Sequence, residues 1–201
     1  MSSAAGIVRD IVVIGGSAGA FRPLAIILKE LPRDLPASVF VALHRGPTPR
    51  GGAAFGGLLA ATHLVIASAE DHQPFARGHL YLAPPDQHLL LDRRLMRLER
   101  SPKENWFRPS IDVLFKTAAD TLGRRVVGVM LSGAAGLDGT AGLWHIKKRG
   151  GLAIVQEPSD AEHRVMPQNA INHVSVDFVL PAAQIGSKLV ELVCQPVPAP
   201  A

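Results

Sequence analysis

Ser17 is the residue best placed in this sequence to act as a nucleophile. Residues 11–14 form an uninterrupted β-branched run, which predicts a strand buried on both faces of a sheet. A helical spacing of leucine and isoleucine begins after Phe21. Between the two, Gly15 and Gly19 permit a tight turn, because glycine tolerates backbone angles that other residues avoid. The Gly15-x-Ser17-x-Gly19 pattern therefore fits a nucleophile elbow, the strand–turn–helix that presents a serine for acyl transfer.

His44 and Asp138 are the candidate base and acid. His44 follows the apolar run 39–43, and Asp138 lies in the loop after the apolar run 126–131. Open parallel sheets bind ligands beyond the carboxyl ends of their strands, so these side chains converge with Ser17 if the strands are neighbours. An imidazole can take the proton of a serine hydroxyl, and a carboxylate can fix the tautomer of that imidazole. The three residue types together predict a Ser-His-Asp triad.

Each of these residues also has a simpler interpretation. A glycine-rich turn after a first strand can bind phosphate in a Rossmann domain, although that fingerprint requires glycine where Ser17 stands. His44 could bond a backbone carbonyl at the end of its strand. Asp138 could be a turn residue or the N-cap of a helix predicted at 140–149.

Other acidic residues compete with Asp138 for the acid role. Asp71, Asp86 and Asp112 are rival carboxylates, and Asp112 follows Ser110 in a pattern typical of a helix start. The chain order serine, histidine, aspartate differs from the order in α/β-hydrolases, although triads occur in several orders on unrelated folds. The remaining histidines show no spacing typical of a metal site, so no metal is predicted.

The elements that must position these residues alternate between strand and helix. Strands are predicted at 11–14, 38–43, 64–67, 79–83, 126–131, 152–156 and 176–180, and helices at 21–31, 51–61, 111–122, 140–149 and 183–194. This alternation predicts an α/β fold with a doubly wound, mainly parallel sheet and helices on both faces. Residues 89–98 predict an antiparallel β-hairpin at an edge of the sheet or on a flap.

Composition limits the class of protein. The 201 residues suffice for one α/β domain, and the single cysteine, Cys194, fits a reducing cytoplasm. No apolar stretch reaches the roughly 20 residues that span a bilayer, and the first residues do not resemble a secretion signal. The net charge is +4, and apart from short clusters the basic residues are scattered along the chain. Aromatic residues make up only 5%, and both observations argue against nucleic-acid binding.

Several segments, in order along the chain, resemble the catalytic domain of the chemotaxis protein-glutamate methylesterases, the CheB family. They lie at residues 14–19, 44–47, 78–88, 108–115, 131–139, 150–156 and 166–167. The resemblance implies a catalytic domain over residues 9–195, between an N-terminal tail at 1–8 and a disordered tail at 196–201.

The resemblance also assigns roles to residues. It implies that Ser17 is the nucleophile, His44 the base and Asp138 the acid, with the backbone N–H of Ala18 as one oxyanion donor. The second donor is expected at Ala135, although the turn before Asp138 is one residue longer than the turn common in the family. No cofactor is implied.

The function implied by the resemblance is hydrolysis of glutamate γ-methyl esters on chemoreceptors, together with deamidation of receptor glutamine. The expected partners are the methylated cytoplasmic helices of those receptors, in the cytoplasm. Family members commonly carry a receiver domain that this chain lacks, so the domain is either constitutively open or regulated by a separate protein. The alternative is a non-catalytic module that docks on receptors.

Overall fold

A seven-stranded sheet forms the centre of this protein, whose computed structural model describes residues 7–44, 62–134 and 136–197. The strands of this sheet are Ile11–Gly16 (β1), Ser38–Leu43 (β2), Val65–Ser68 (β3), His79–Leu82 (β4), Val126–Met130 (β7), Leu152–Gln156 (β8) and Phe178–Leu180 (β9). They lie in the order β3-β4-β2-β1-β7-β8-β9, and every neighbouring pair is parallel. The strand order places β1 between β2 and β7 at the middle of the sheet.

Helices cover both faces of this sheet. Their bounds are Phe21–Glu30 (α1), Ile111–Leu122 (α2), Thr140–Lys148 (α3), Val165–His173 (α4) and Ala182–Cys194 (α5). One apolar core joins α1 and α5 to the sheet, and a second core on the opposite face contains α2, α3 and α4. All residues of β1, β2 and β7 are buried, as expected for parallel strands covered on both faces. The predicted doubly wound architecture is confirmed.

The predicted hairpin exists as a separate two-stranded antiparallel sheet. His88–Asp92 (β5) pairs with Leu95–Glu99 (β6), and neither strand joins the main sheet. Helix α2 holds the hairpin through Leu91, whose N–H donates to Thr117 Oγ1 at 3.2 Å and whose carbonyl accepts from Thr121 Oγ1 at 3.2 Å. The hairpin therefore packs against a helix and not along an edge of the main sheet.

Helix α4 was not among the predicted elements. It begins at Val165 and carries Pro167 in its first turn, where the missing N–H of proline leaves no intrahelical bond unmade. The helix predicted at 51–61 lies outside the described residues. The other predicted helices agree with the structure to within one residue at each end.

The two ends of the described chain lie side by side. Val8 and Pro196 form an antiparallel bridge, and Val197 N–H donates to the Ile7 carbonyl at 2.6 Å. Among the helices of residues 7–44, 62–134 and 136–197, none combines the length and the apolar character that crossing a membrane requires.

Candidate active site

Ser17 and His44 follow directly paired positions at the carboxyl edge of the sheet. In the β1–β2 register Gly16 lies opposite Leu43, and the His44 N–H donates to the Gly16 carbonyl at 3.1 Å. Strand β7 lies on the other side of β1 and ends before the loop that carries Asp138. The three strands that carry the candidate residues are therefore neighbours.

The turn that carries Ser17 is held by the loop after β7. The Ser17 N–H donates to the Ser132 carbonyl at 2.9 Å, and Ser132 Oγ donates to the Ala18 carbonyl at 2.9 Å. Gly19 has a φ of +74°, and a side chain there would meet Ser132 Oγ and Glu162. Ser17 is partly exposed, and within the described part of the chain the Ala18 N–H has no acceptor. This turn can present a hydroxyl beside an unused backbone donor.

Asp138 is fully buried and its carboxylate accepts from five donors. They are His44 Nε2 at 2.6 Å, Asn105 Nδ2 at 2.9 Å, Ser110 Oγ at 2.7 Å, Ile111 N at 2.7 Å and Asp112 N at 3.2 Å. The two backbone donors belong to the first turn of α2, where the helix dipole favours a negative charge. Asp138 therefore binds the N-terminus of α2. It does not cap the helix that follows it in the chain, α3, whose N-cap residue is Gly139.

These contacts decide the charge of Asp138. Burial acts to raise the pKa of its carboxyl, but hydrogen bonds from His44, Asn105, Ser110 and Ile111 outweigh burial and hold that pKa below its usual value. An ionised carboxylate only accepts, so His44 Nε2 must carry the proton of their hydrogen bond. In the neutral ring the lone pair is then on Nδ1. That atom is buried without a hydrogen-bond partner among the described residues.

The ring plane of His44 is fixed by an aromatic neighbour. Phe107 stacks on the imidazole with ring centroids 3.4 Å apart and an angle of 3° between the planes. Phe107 belongs to the segment between β6 and α2, which also supplies Asn105 to the carboxylate.

Close packing of α2 against β1 brings these elements together. Cβ atoms added at Gly15 or at Gly139 would both collide with the side chain of Ile111, the first residue of α2. The two glycines therefore leave the space that the start of α2 occupies. Gly15, predicted as part of the turn, is also required for this helix–strand contact.

The structure brings His44 and Asp138 together as predicted and sets Ser17 beside them in register. No hydrogen bond joins the Ser17 hydroxyl to His44 within the described residues. Apo sites often hold the nucleophile and base apart until substrate binds. The His44 ring is hydrogen-bonded to the Asp138 carboxylate, and not to a backbone carbonyl at the end of its strand as in the simpler interpretation. Ala135 lies outside the described residues.

The rival carboxylates have other partners. Asp71 accepts from the Leu98 N–H on the exposed hairpin, and Asp86 pairs with Arg108 at 2.7 Å. Asp112 lies at the start of α2, as its sequence pattern predicts, where it accepts from Gly142 N–H. Burial, together with the charge of Asp138, raises the pKa of the Asp112 carboxyl.

Several residues that support the site through hydrogen bonds or packing were not predicted from sequence patterns. Ser110 and Ser132 lie in segments that carry the family resemblance, and Gln156 accepts from Ser132 N–H at 2.9 Å. Asn105 and Phe107 lie outside those segments, in a turn without glycine. No spacing rule connects either of them to His44 or Asp138, so only the tertiary structure identifies them.

Two clefts adjoin residues that support the site. One holds about 470 Å³ and is lined by residues that include Gly19, Arg22, Gln156 and Asp160. The other holds about 570 Å³ and is lined by residues that include Asn105, Asp112, Leu137 and Trp144. Across the described part of the chain, His, Cys, Asp and Glu side chains form no group of three or more suited to a metal ion.

Comparison with known proteins gives a consistent match over nearly the whole chain. A family model described as CheB methylesterase matches residues 12–189. A curated relative from Leptospira interrogans is 37% identical over 184 residues, which cover 91% of this chain and 94% of that protein. A protein-glutamate methylesterase/protein-glutamine glutaminase of Anaeromyxobacter dehalogenans is 38% identical over 183 residues, but the chain spans only 53% of its length.

A solved structure matches the fold as well as the sequence. The crystal structure of the Thermotoga maritima CheB methylesterase catalytic domain superimposes with a TM-score of 0.87 and 34% sequence identity. The match covers 93% of this chain and 100% of that domain.

Proposed function

Since the chain belongs to the CheB methylesterase family, we propose that its site hydrolyses the γ-methyl esters of glutamate residues in chemoreceptors, with Ser17, His44 and Asp138 as the catalytic residues. The observation that carries this proposal is the buried 2.6 Å contact between His44 and Asp138 beside the Ser17 turn. The alternative of a non-catalytic docking module gains no support from the relatives, whose names are those of methylesterases.

Proton transfer in this mechanism uses the unpartnered nitrogen of His44. With Nε2–H bound to Asp138, Nδ1 accepts the proton of the Ser17 hydroxyl as Oγ attacks the ester carbonyl. The resulting imidazolium is stabilised by the ionised carboxylate. Nδ1–H then protonates the departing methoxide, so that methanol leaves and an acyl-enzyme remains. A water molecule, deprotonated by the same nitrogen, releases the glutamate and restores Ser17.

The negative oxygen of the tetrahedral intermediate needs backbone donors. The unused N–H of Ala18, next to the nucleophile and before α1, is one, and an amide near Ala135 is the other. A donor of this kind is worth about 3 kcal/mol of barrier, so a displaced second donor slows the reaction without abolishing it. The same steps with ammonia as the leaving group deamidate a glutamine, the second activity in the relative's name.

The receptor approaches the carboxyl edge of the sheet. The cleft beside Gly19, next to the Ser17 turn, offers room for the side chains that surround a methylated glutamate on a helix. The net charge of +4 favours an acidic partner such as a glutamate-bearing receptor segment. The substrate is then the methylated cytoplasmic helices of the receptor, and the protein acts in the cytoplasm.

Methanol release from receptor-bearing membranes, methylated beforehand, tests this function. The wild type should release methanol, Ser17→Ala should not, and Ser187→Ala, a change at an exposed serine of α5, should match the wild type. Equal release by the wild type and Ser17→Ala would contradict the esterase proposal. Labelling of Ser17 by a fluorophosphonate tests nucleophile activation separately, and a folded protein that resists labelling would favour the docking module.

A further inference from the structure

Residues 104–107 form a tight turn with an unusual backbone. The N–H of Glu104 donates to the Phe107 carbonyl at 3.2 Å, and the N–H of Phe107 donates to the Glu104 carbonyl at 3.0 Å. The two central residues, Asn105 and Trp106, have φ values of +52° and +73°. Positive φ at both positions is typical of a type I′ turn, in which asparagine is favoured first and glycine second. Trp106 is therefore strained.

Asn105 places its amide group between two buried carboxylates. Its Nδ2 atom donates to Asp138 Oδ1 and to Asp112 Oδ2, both at 2.9 Å. Asp138 is 0% exposed and Asp112 is 2% exposed. An amide nitrogen carries two hydrogens, so this one group can satisfy both carboxylates without adding charge. Without it, two buried acidic groups would face each other with fewer donors.

The same turn also fixes the histidine. Phe107, its last residue, stacks on the His44 ring, and Glu104, its first residue, pairs with Lys116 on α2 at 2.6 Å. The turn is thus anchored to the helix whose N-terminus holds Asp138. One four-residue segment contacts both members of the His44–Asp138 pair.

We propose that the 104–107 turn is the positioning element of the acid–base pair and that Asn105 is its positioning residue, orienting the Asp138 carboxylate toward His44 and separating it from Asp112. This inference rests on the proposed function. It assigns no contact with substrate to Asn105. Its effect is on the orientation and hydrogen bonding of a carboxylate that the reaction uses.

The charged groups around Asn105 determine the pH behaviour to expect. Asp138 and Asp112 bind its amide, while Glu104 and Lys116 lie on the outer side of the turn. Lys116 Nζ lies 3.9 Å from Asp112 Oδ2, and His145 and His173 line the cleft that Asn105 also lines. A carboxylate that loses a donor holds the imidazolium of His44 more strongly. The inactive protonated ring then persists to higher pH.

Asn105→Gly and Asn105→Asp separate the role of the amide from that of the turn. Glycine keeps the positive φ without strain and removes the amide, whereas aspartate keeps the shape but lacks the NH₂ donor. The rate of Ser17 labelling by a fluorophosphonate and methanol release from methylated receptor membranes are measured across pH. For Asn105→Gly we expect kcat about tenfold lower with KM unchanged, because the hydrogen bond to the charged Asp138 carboxylate is lost. The acid limb of kcat/KM should move to higher pH.

The comparison at about pH 8.5, on the alkaline side of the pH profile, is decisive. There Asn105→Asp should be impaired at least as strongly as Asn105→Gly, because a third carboxylate joins the cluster, whereas a role in shape alone predicts that the aspartate variant retains more activity. His72→Gly, at an exposed residue with a φ of +60°, is the matched control and should be labelled like the wild type. Should the Asn105 variants unfold, Phe107→Leu should lower kcat about threefold to fivefold at unchanged KM, because the ring contact is lost.

The positioning role would be overturned if Asn105→Gly kept the wild-type kcat and labelling rate. It would also be overturned if Asn105→Asp were more active than Asn105→Gly in that alkaline comparison. Wild-type kcat in Phe107→Leu, if the Asn105 variants unfold, would do the same. A wild type that is labelled at Ser17 but releases no methanol would instead refute the receptor-ester function, and labelling would still test Asn105.

Discussion

His44 and Asp138 are 94 positions apart in the chain, yet Nε2 of one lies 2.6 Å from Oδ2 of the other. This contact uses the nitrogen farther from the backbone, so Nδ1 is the free base. In the serine proteases the two nitrogens have the opposite assignment. The chemical requirement is the same: the carboxylate fixes which nitrogen carries the proton.

Replacing Asp138 by asparagine should therefore reverse the tautomer. The amide introduced by this change can donate to Nε2, which would move the ring proton to Nδ1 and leave no base for Ser17. We expect kcat for methanol release to fall by about 10⁴-fold at neutral pH. Circular dichroism and binding of methylated receptor membranes provide the control. A folded variant with less than about a tenfold loss would contradict the proposed role of Asp138.

The same variant tests the pH dependence of stability. Hydrogen bonds hold the folded-state pKa of Asp138 below its ordinary value of 3.8, although burial opposes them. The stability that Asp138 contributes is complete above the pKa of the unfolded chain and is lost as pH falls through the lower folded-state pKa. In urea unfolding the wild type should thus exceed Asp138→Asn by more at about pH 6 than at about pH 3. A difference that stays constant or widens in acid would argue against an ionised Asp138.

Ser110→Ala should destabilise the start of α2. Ser110 Oγ donates to Asp138 at 2.7 Å and accepts from the Val113 N–H at 3.4 Å, so it both caps the helix and binds the carboxylate. Loss of both contacts should lower the free energy of unfolding by about 2 kcal/mol, measured in urea. Ser187→Ala, at an exposed serine of α5, should change it by less than about 0.5 kcal/mol. Equal effects of the two changes would show that the Ser110 contacts add little.

Trp106→Gly should stabilise the protein. The Trp106 side chain is 89% exposed, so its removal costs little packing, and glycine relieves the strain of a φ of +73°. We expect a gain of about 1 kcal/mol in the free energy of unfolding. Trp144→Gly, in the middle of α3, should lose about 1 kcal/mol or more because glycine is a poor helix former. A loss at position 106 would mean that the indole makes contacts that its exposure does not suggest.

The strands, and the places of Ser17 and His44 at the ends of two of them, could be predicted from sequence because both depend on local patterns. Apolar runs mark the strands, and parallel strands bring their carboxyl ends to one edge. The helix whose first turn the Asp138 carboxylate binds could not be predicted in this way. Its adjacency to α3 suggested a cap for that helix, but tertiary packing gives it to α2.

Asn105 illustrates the same limit more strongly. A type I′ turn is usually recognised by glycine at its second central position, and here that position holds Trp106. The turn is fixed by contacts with Asp112, Asp138 and Lys116, each on an element remote in sequence or formed only in the folded chain. Local propensity carries no information about such contacts.

The pairing of Ile7 with Val197 has a consequence for protein engineering. Ile7 precedes β1 at the amino end of that strand, whereas Ser17 follows β1 at the carboxyl edge of the sheet. A short linker could join the paired ends, and new termini could be opened elsewhere, to give a circular permutant with the catalytic edge unaltered. A reporter fused ahead of Ile7 would likewise start on the far side from the substrate, leaving the approach of a receptor helix open.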